Sequence, residues 1–292
     1  MTVAEPGRAH EPVMVAEVTE YLAGRGTVVD MTLGAGGHAE ALFGAGVGLV
    51  IGVDRDPAAL AMAGERLAVL GPRFRPVRAR FSEVDEEVVG GLVDGVLFDL
   101  GVSSMQLDQG GRGFGYRTDG PLDMRMAGAA DDELSAADLV NDLPESELAD
   151  LIFEYGDEHR SRRIARAIVR NRPITTTDQL ARVVAGALGR RPGGPHPARR
   201  TFQALRIAVN REIEELSASL PQAVGLLVPG GRVVAIAYHS LEDRVVKYAF
   251  REDERLAVLT KKPRRPSEDE VARNPRSRSA LLRAAERIEA AA

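Results

Sequence analysis

One stretch restricts the possible folds of this chain more than any other: Val28-Val29-Asp30-Met31-Thr32-Leu33-Gly34-Ala35-Gly36-Gly37-His38. A β-branched apolar run ends in an acid, turns through glycines and opens an Ala-rich helical pattern at Ala39, Ala41 and Leu42. Such a strand–turn–helix unit lets backbone approach a ligand closely at a helix N-terminus. A second acid-ended strand, Leu49-Val50-Ile51-Gly52-Val53-Asp54, follows. A glycine turn with a carboxylate at the next strand end describes a nucleoside-cofactor pocket, with Asp54 placed to accept from ribose hydroxyls.

The pattern around that stretch is an alternation. His10–Leu22 reads as an amphipathic helix, Thr27–Leu33 as a strand, Ala39–Phe43 as a helix and Leu49–Asp54 as a strand. Asp56-Pro57 suits a helix start, since Asp caps and Pro fits the first turn. Phe74–Arg80 and Val93–Leu100 complete four strands. Near-continuous apolar strands alternating with helices imply a parallel sheet covered on both faces. The next buried strand, Arg232–Tyr238, begins 132 positions after Leu100. One crossover needs roughly 30 residues, so about 100 are inserted. The insert reads as helices at Ser135–Leu139, Glu145–Tyr155, Arg162–Arg170, Thr177–Leu188 and Phe202–Leu220, the last with an apolar stripe at 202, 205, 209, 213, 216 and 220. The divisions expected are 1–106 and 221–292 for the sheet domain and 107–220 for the insert. Leu241–Phe250 reads as a helix, and Leu256–Thr260 with Ala280–Ile288 as a closing strand pair. The polar, proline-containing Lys261–Arg278 between them is expected to be a mobile loop.

Composition removes several classes. There is no cysteine, which excludes disulfides, thiolate nucleophiles and Cys-based zinc sites. No cluster of metal-ligand spacing is present, so no metal is expected. No apolar run approaches the roughly 18–20 residues that span a bilayer, and Met1–His10 lacks a signal-peptide pattern. A cytoplasmic protein without a membrane partner is expected. Oligomeric state, monomer or homodimer, is not written in the sequence.

Three readings fit Gly34–His38: a ligand-free turn, a dinucleotide site, and a site for S-adenosylmethionine. Carboxylates at Asp30 and Asp99 suit a donor carrying ammonium and sulfonium charge better than a diphosphate. Asp99 ends the fourth strand, at the switch point of such a sheet. Phe81, just after the third strand, is placed to cover a purine or simply to pack in the core.

Many further blocks then occur in one order: Met31–His38, Asp54-Arg55-Asp56-Pro57, Phe98-Asp99-Leu100-Gly101-Val102-Ser103-Ser104, Gly113-Phe114, Gly120-Pro121-Leu122-Asp123-Met124-Arg125-Met126, Arg163-Ile164-Ala165, Thr201–Ile207 and His239-Ser240-Leu241-Glu242-Asp243-Arg244. Over about residues 9 to 288 the chain resembles the ribosomal RNA small-subunit methyltransferase H family, also called MraW. The resemblance implies a doubly wound, Rossmann-like α/β domain of the class I S-adenosylmethionine methyltransferases, interrupted by an all-helical RNA-recognition domain. It implies methylation of the N4 amine of a cytidine in 16S rRNA, at the decoding centre of the small subunit. It carries donor contacts onto Gly36, Gly37, His38, Asp54, Phe81, Asp99 and Gln106, of which His38 and Gln106 come mainly from the family.

A cytosine amine has its lone pair delocalised into the ring, so positioning and a proton acceptor matter most. The segment Asp99-Leu100-Gly101-Val102 lacks the Pro-Pro-aromatic motif of many amino-group methyltransferases. Asp99 and His239 are the leading acceptor candidates, beside Ser103, Ser104 and Asp123. For the RNA, Glu158–Glu212 holds thirteen Arg against three acids in a chain of net charge −5. Arg162, Arg166 and Arg170 share one helix face with Arg163 close by, and Arg199-Arg200 enter the next helix, which nominates these six for phosphate contacts. Two rivals remain on sequence grounds: an NAD-dependent oxidoreductase, and a catalytically silent ribosome-assembly factor.

Overall fold

The computed structural model describes residues 11–102, 110–128, 133–189 and 194–289. The chain divides into two units, one of residues 1–101 and 214–292, the other of residues 102–213.

The first unit is built on a seven-stranded sheet. Its first four strands are β1 (Thr27–Asp30), β2 (Leu49–Asp54), β3 (Phe74–Arg78) and β4 (Val93–Asp99). The last three are β5 (Leu227–Ala237), β6 (Leu256–Val258) and β7 (Leu281–Arg287), giving the order β3-β2-β1-β4-β5-β7-β6. β1 to β5 pair in parallel, whereas β7 runs antiparallel between β5 and β6. Order reverses between β1 and β4, so the switch point lies at the ends of Asp30 and Asp99. Strand side chains alternate between two cores: Val29, Ile51, Val96 and Phe98 in one, Val28, Val50 and Leu97 in the other. A sheet apolar on both faces is what a doubly wound α/β unit requires. Helix α1 (Val15–Leu22) precedes β1, and α2 (Gly37–Gly44), α3 (Pro57–Leu67) and the short α4 (Glu86–Val89) lie between the early strands in the chain.

The second unit is helical, with α5 (Ala136–Asp142), α6 (Glu145–Gly156), α7 (Ser161–Arg170), α8 (Thr177–Leu188) and α9 (Arg199–Asn210). Its own core gathers Leu122, Ile152, Ile164, Ile168, Leu180 and Phe202, among others. Buried Asn210 organises its polar interior: Oδ1 accepts from the Met126 N–H at 2.8 Å, and Nδ2 donates to the Met124 carbonyl at 2.8 Å and the Arg206 carbonyl at 2.9 Å.

Two expectations are corrected. The stripe from 202 to 220 is not one helix: Arg211 takes a left-handed φ of 51° and separates α9 from α10 (Glu212–Leu226). The first half of the stripe, Phe202, Leu205 and Val209, sits in the helical core, while Leu216 and Leu220 sit in the sheet core. The compact units meet at 101/102 and 213/214, close to the expected divisions at 106/107 and 220/221. Lys261–Arg278 is also ordered. Ser267 caps α12 (Glu268–Arg273) by accepting from the Glu270 N–H, and a 3₁₀ turn at Pro275–Ser279 follows. Glu270 accepts from the Met14 N–H at 2.7 Å, and Asn274 donates to the Glu11 carbonyl at 3.1 Å.

Candidate donor pocket and arginine face

After Asp30 the backbone is clamped to both neighbouring strands, Met31 N–H to the Leu97 carbonyl and Leu33 N–H to the Val53 carbonyl, each at 2.9 Å. Gly52 makes room for this: a Cβ there would stand 2.5 Å from Leu33 Cδ1. Gly36, the residue before α2, has φ 79°, and a Cβ would lie 3.1 Å from Leu67 Cδ1. Glycine is thus required at Gly36 both by its backbone region and by space.

Asp54 holds the turn from the neighbouring strand. Its Oδ2 accepts from the Gly34 N–H at 2.9 Å and its Oδ1 from the Asp56 N–H at 2.8 Å. Asp56 then caps α3 by accepting from the Ala58 N–H, with Pro57 in the first turn. Burial raises the pKa of Asp54 against those two hydrogen bonds.

Asp30, Asp99, His38 and Tyr238 converge at the switch point. Asp30 is 1 % exposed, and only one of its oxygens is served, by the Thr32 N–H at 3.1 Å. Burial, with the nearby Asp99 and Asp54 charges adding, raises its pKa to about 6. Thr32 Oγ1 accepts from the Asp99 N–H at 2.6 Å, joining the ends of β1 and β4. Tyr238, one residue past β5, donates its hydroxyl to Asp99 Oδ1 at 2.8 Å. Burial and the Asp99 carboxylate push the phenol well above its ordinary pKa, so it stays a donor. His38 Nε2 stands 3.3 Å from Asp99 Oδ2, a charge contact rather than an aligned hydrogen bond. Burial opposes the imidazolium, but the Asp99 and Asp30 carboxylates outweigh it and hold His38 above its usual pKa. Buried polar atoms left open, here Asp30 Oδ2 and both His38 nitrogens, mark a place where a polar ligand completes the hydrogen bonding.

The remaining nominees separate. Phe81 sits edge-on to Phe98, ring centroids 6.1 Å apart, against the sheet core. His239 caps α11 (Ser240–Glu252): Nδ1 accepts from the Glu242 N–H at 3.4 Å, and Nε2 lies 3.1 Å from the Glu242 carboxylate. That arrangement gives it a capping role. Asp123 is held by Arg125 through both oxygens, at 3.0 and 2.7 Å; burial works against its charge, but the guanidinium wins and depresses its pKa. Gln106, Ser103 and Ser104 lie outside the described residues. Tyr238 and Thr32 were not legible in the sequence, because their partners at Asp99 are 139 and 67 residues away.

In the helical unit, Arg162, Arg163, Arg166 and Arg170 are exposed on α7 while Ile164, Ala165 and Ile168 are buried beneath. Arg166 lies 3.3 Å from Glu145, and Arg162, Arg163 and Arg170 make no ion pair among the described residues. Arg199 is exposed at the start of α9, whereas Arg200 donates to the Asp157 carbonyl at 2.7 Å. His196 stacks on Tyr116, centroids 4.7 Å apart, and fixes the approach to α9.

A family model described as the MraW methylase family matches residues 7–288. The chain belongs to this family. A ribosomal RNA small subunit methyltransferase H from Geobacter sulfurreducens is 51 % identical, over 96 % of this chain and 99 % of its own. Its counterpart from Methylobacterium sp. is 50 % identical over 98 % and 93 %, and that from Synechococcus elongatus 49 % over 96 % and 95 %. Among solved structures, a putative methyltransferase from Streptococcus mutans in complex with SAH superposes with TM-score 0.46 at 11 % identity, covering 94 % and 95 % of the two chains. The family is one of methylases, and the relatives carry small-subunit ribosomal RNA in their names.

Proposed function

We propose that this MraW methylase transfers a methyl group to the exocyclic N4 amine of a cytidine in 16S rRNA, at the decoding centre, in the cytoplasm. The observation that carries the reading is the cluster of Asp30, Asp99, His38 and Tyr238 at the switch point. S-adenosylmethionine is the methyl donor, and when bound it supplies an electrophilic methyl group on a sulfonium. The residues fit it. Asp30 and Asp99 offer carboxylate oxygens to a cationic ligand, Asp54 is placed for ribose hydroxyls, and Gly36 and Gly37 let it approach the backbone. His38 borders the same space, and Phe81 covers the purine. A diphosphate would meet three carboxylates here, which disfavours a dinucleotide.

Asp99 serves as the acceptor for the amine. Tyr238 on one oxygen and His38 beside the other hold the carboxylate still, and its side chain remains 23 % exposed. A fixed carboxylate that accepts from the amine N–H draws the lone pair towards the nitrogen, where it can attack in line. Presentation of a single splayed-out base fits the scarcity of aromatics, since recognition of one extruded nucleotide needs no stacking track. Arg162, Arg163, Arg166, Arg170, Arg199 and Arg200 supply phosphate contacts, Arg200 doubling as a tie to the end of α6. Labelled donor with small subunits, followed by nucleoside mass spectrometry, tests the reading. N4-methylcytidine is expected, and its absence from an assay in which donor binds and subunits are intact would overturn it.

A further inference from the structure

Helix α11 follows β5 directly and is fixed more firmly than its exposure suggests. His239 and Glu242 form a reciprocal cap at its start, and Val246 and Phe250 anchor it in the sheet core. Its first-turn acids face inward. Glu242 is 2 % exposed and accepts from the Tyr238 N–H at 2.7 Å. Asp243 binds Arg283 through both oxygens, at 2.7 and 3.0 Å.

With those acids turned in, the outward face presents Arg244, Lys247, Tyr248 and Arg251. These positions, spaced by three, four and seven residues, form one stripe. Tyr248 lies between cations, with Lys247 Nζ 5.4 Å and the Arg251 guanidinium 4.8 Å from its ring centroid. Arg244 and Lys247 make no ion pair among the described residues, and Arg251 has only exposed Glu252, 3.6 Å away.

We infer that the outward face of α11 is an RNA-backbone contact on the sheet unit itself, separate from the arginines of the helical unit. Arg244, Lys247 and Arg251 take phosphates, and Tyr248 offers a flat face, already flanked by cations, to an unstacked base. The partner is the polyanion that a methylase of ribosomal RNA must hold, so the assignment rests on RNA being the substrate. A rigid helix carrying interleaved cations and one aromatic ring matches the chemistry of single-stranded nucleic acid, where charge tracks the backbone and rings stack on bases.

The test uses the full chain and a small-subunit rRNA fragment containing the target cytidine, with affinity followed by fluorescence anisotropy over a salt series. For Arg244→Ala with Lys247→Ala, the slope of log affinity against log salt is expected to fall by about 0.7 for each cation removed. Arg244→Lys with Lys247→Arg is expected to keep the slope, and donor affinity by calorimetry stays unchanged in both. Tyr248→Ala is expected to lose about fivefold or more in affinity with no change of slope, and Tyr248→Phe to restore it. An unchanged slope in the double alanine variant, with donor binding intact, would overturn the inference while leaving the methylation reading standing. Failure of the wild type to bind either the fragment or intact small subunits at any salt would take both down. Binding to phosphatidylserine vesicles that disappears in the double variant, with RNA affinity retained, would reassign the face to anionic membranes.

Discussion

Tyr238 and Asp99, 139 residues apart in sequence, meet through a 2.8 Å hydrogen bond from the phenol to Oδ1. The contact ties the ends of β4 and β5 together above the switch point and leaves Oδ2 beside His38. Asp99→Asn keeps the shape but removes the charge that holds His38 above its usual pKa. The His38 titration, followed by NMR of the imidazole, is expected to move down, and methyl transfer to fall by about a hundredfold or more. A variant with full activity would remove Asp99 from the chemistry.

Asp30 offers a pH test. Burial raises its folded pKa from the ordinary carboxylate range to about 6, so ionising it costs folded-state stability. The favourable balance is complete below the unfolded pKa and is lost as pH rises through the folded one. Asp30→Asn is therefore expected to gain stability relative to the wild type between pH 4 and 6, by about 3 kcal/mol, and to hold a constant lead above that. Urea unfolding of the donor-free protein across this range measures it; parallel curves would show that burial does not penalise the Asp30 charge.

Asp54→Ala removes a carboxylate that serves the Gly34 and Asp56 amides and faces the ribose position. Donor affinity is expected to drop by roughly tenfold or more, in line with a lost hydrogen bond to a charged group. Calorimetry with S-adenosylhomocysteine measures this directly, and unaltered affinity would place the ribose elsewhere.

Gly36→Ala must adopt φ 79° and press a methyl group to 3.1 Å from Leu67 Cδ1. The expected cost is about 1–2 kcal/mol from the left-handed backbone alone, together with weaker donor binding. A thermal melt equal to that of the wild type would mean that the turn relaxes freely.

Arg166→Ala with Arg170→Ala tests the arginine face of α7. RNA affinity is expected to fall and its salt dependence to flatten, with donor binding spared. If the salt slope keeps its wild-type value, α7 does not touch phosphate.

Much of the sheet was readable because its signals are local. Asp30 and Asp54 end apolar runs, Gly36 sits where a turn needs positive φ, and Asp56-Pro57 announces α3. What escaped is non-local or unmarked. Arg211 breaks the stripe from Phe202 to Leu220 in a left-handed conformation without glycine or asparagine to flag it. The stripe itself is genuine on both sides of the break, so periodicity alone cannot show that its halves serve different cores. Ser267 and Glu270 did carry a signal, the Ser-x-x-Glu of a helix start, which the prolines around them masked. Tyr238 looks in sequence like the end of a buried strand, and only the parallel pairing of β4 with β5 reveals its partner.

The link from Glu270 to the Met14 amide joins positions 256 residues apart, and β5 reaches its place beside β4 only after the whole helical unit has been made. A chain emerging from the ribosome can therefore assemble β1 to β4 early, yet the side of β4 that faces β5 stays bare. The amide of Met14 waits for its acceptor until nearly all of the protein has been translated. Tyr238 can thus reach Asp99 only after residues 102–213 have been made. Stalled or truncated chains lacking α12 and β7 should expose an unpaired strand edge, and should depend on chaperones for as long as synthesis is incomplete.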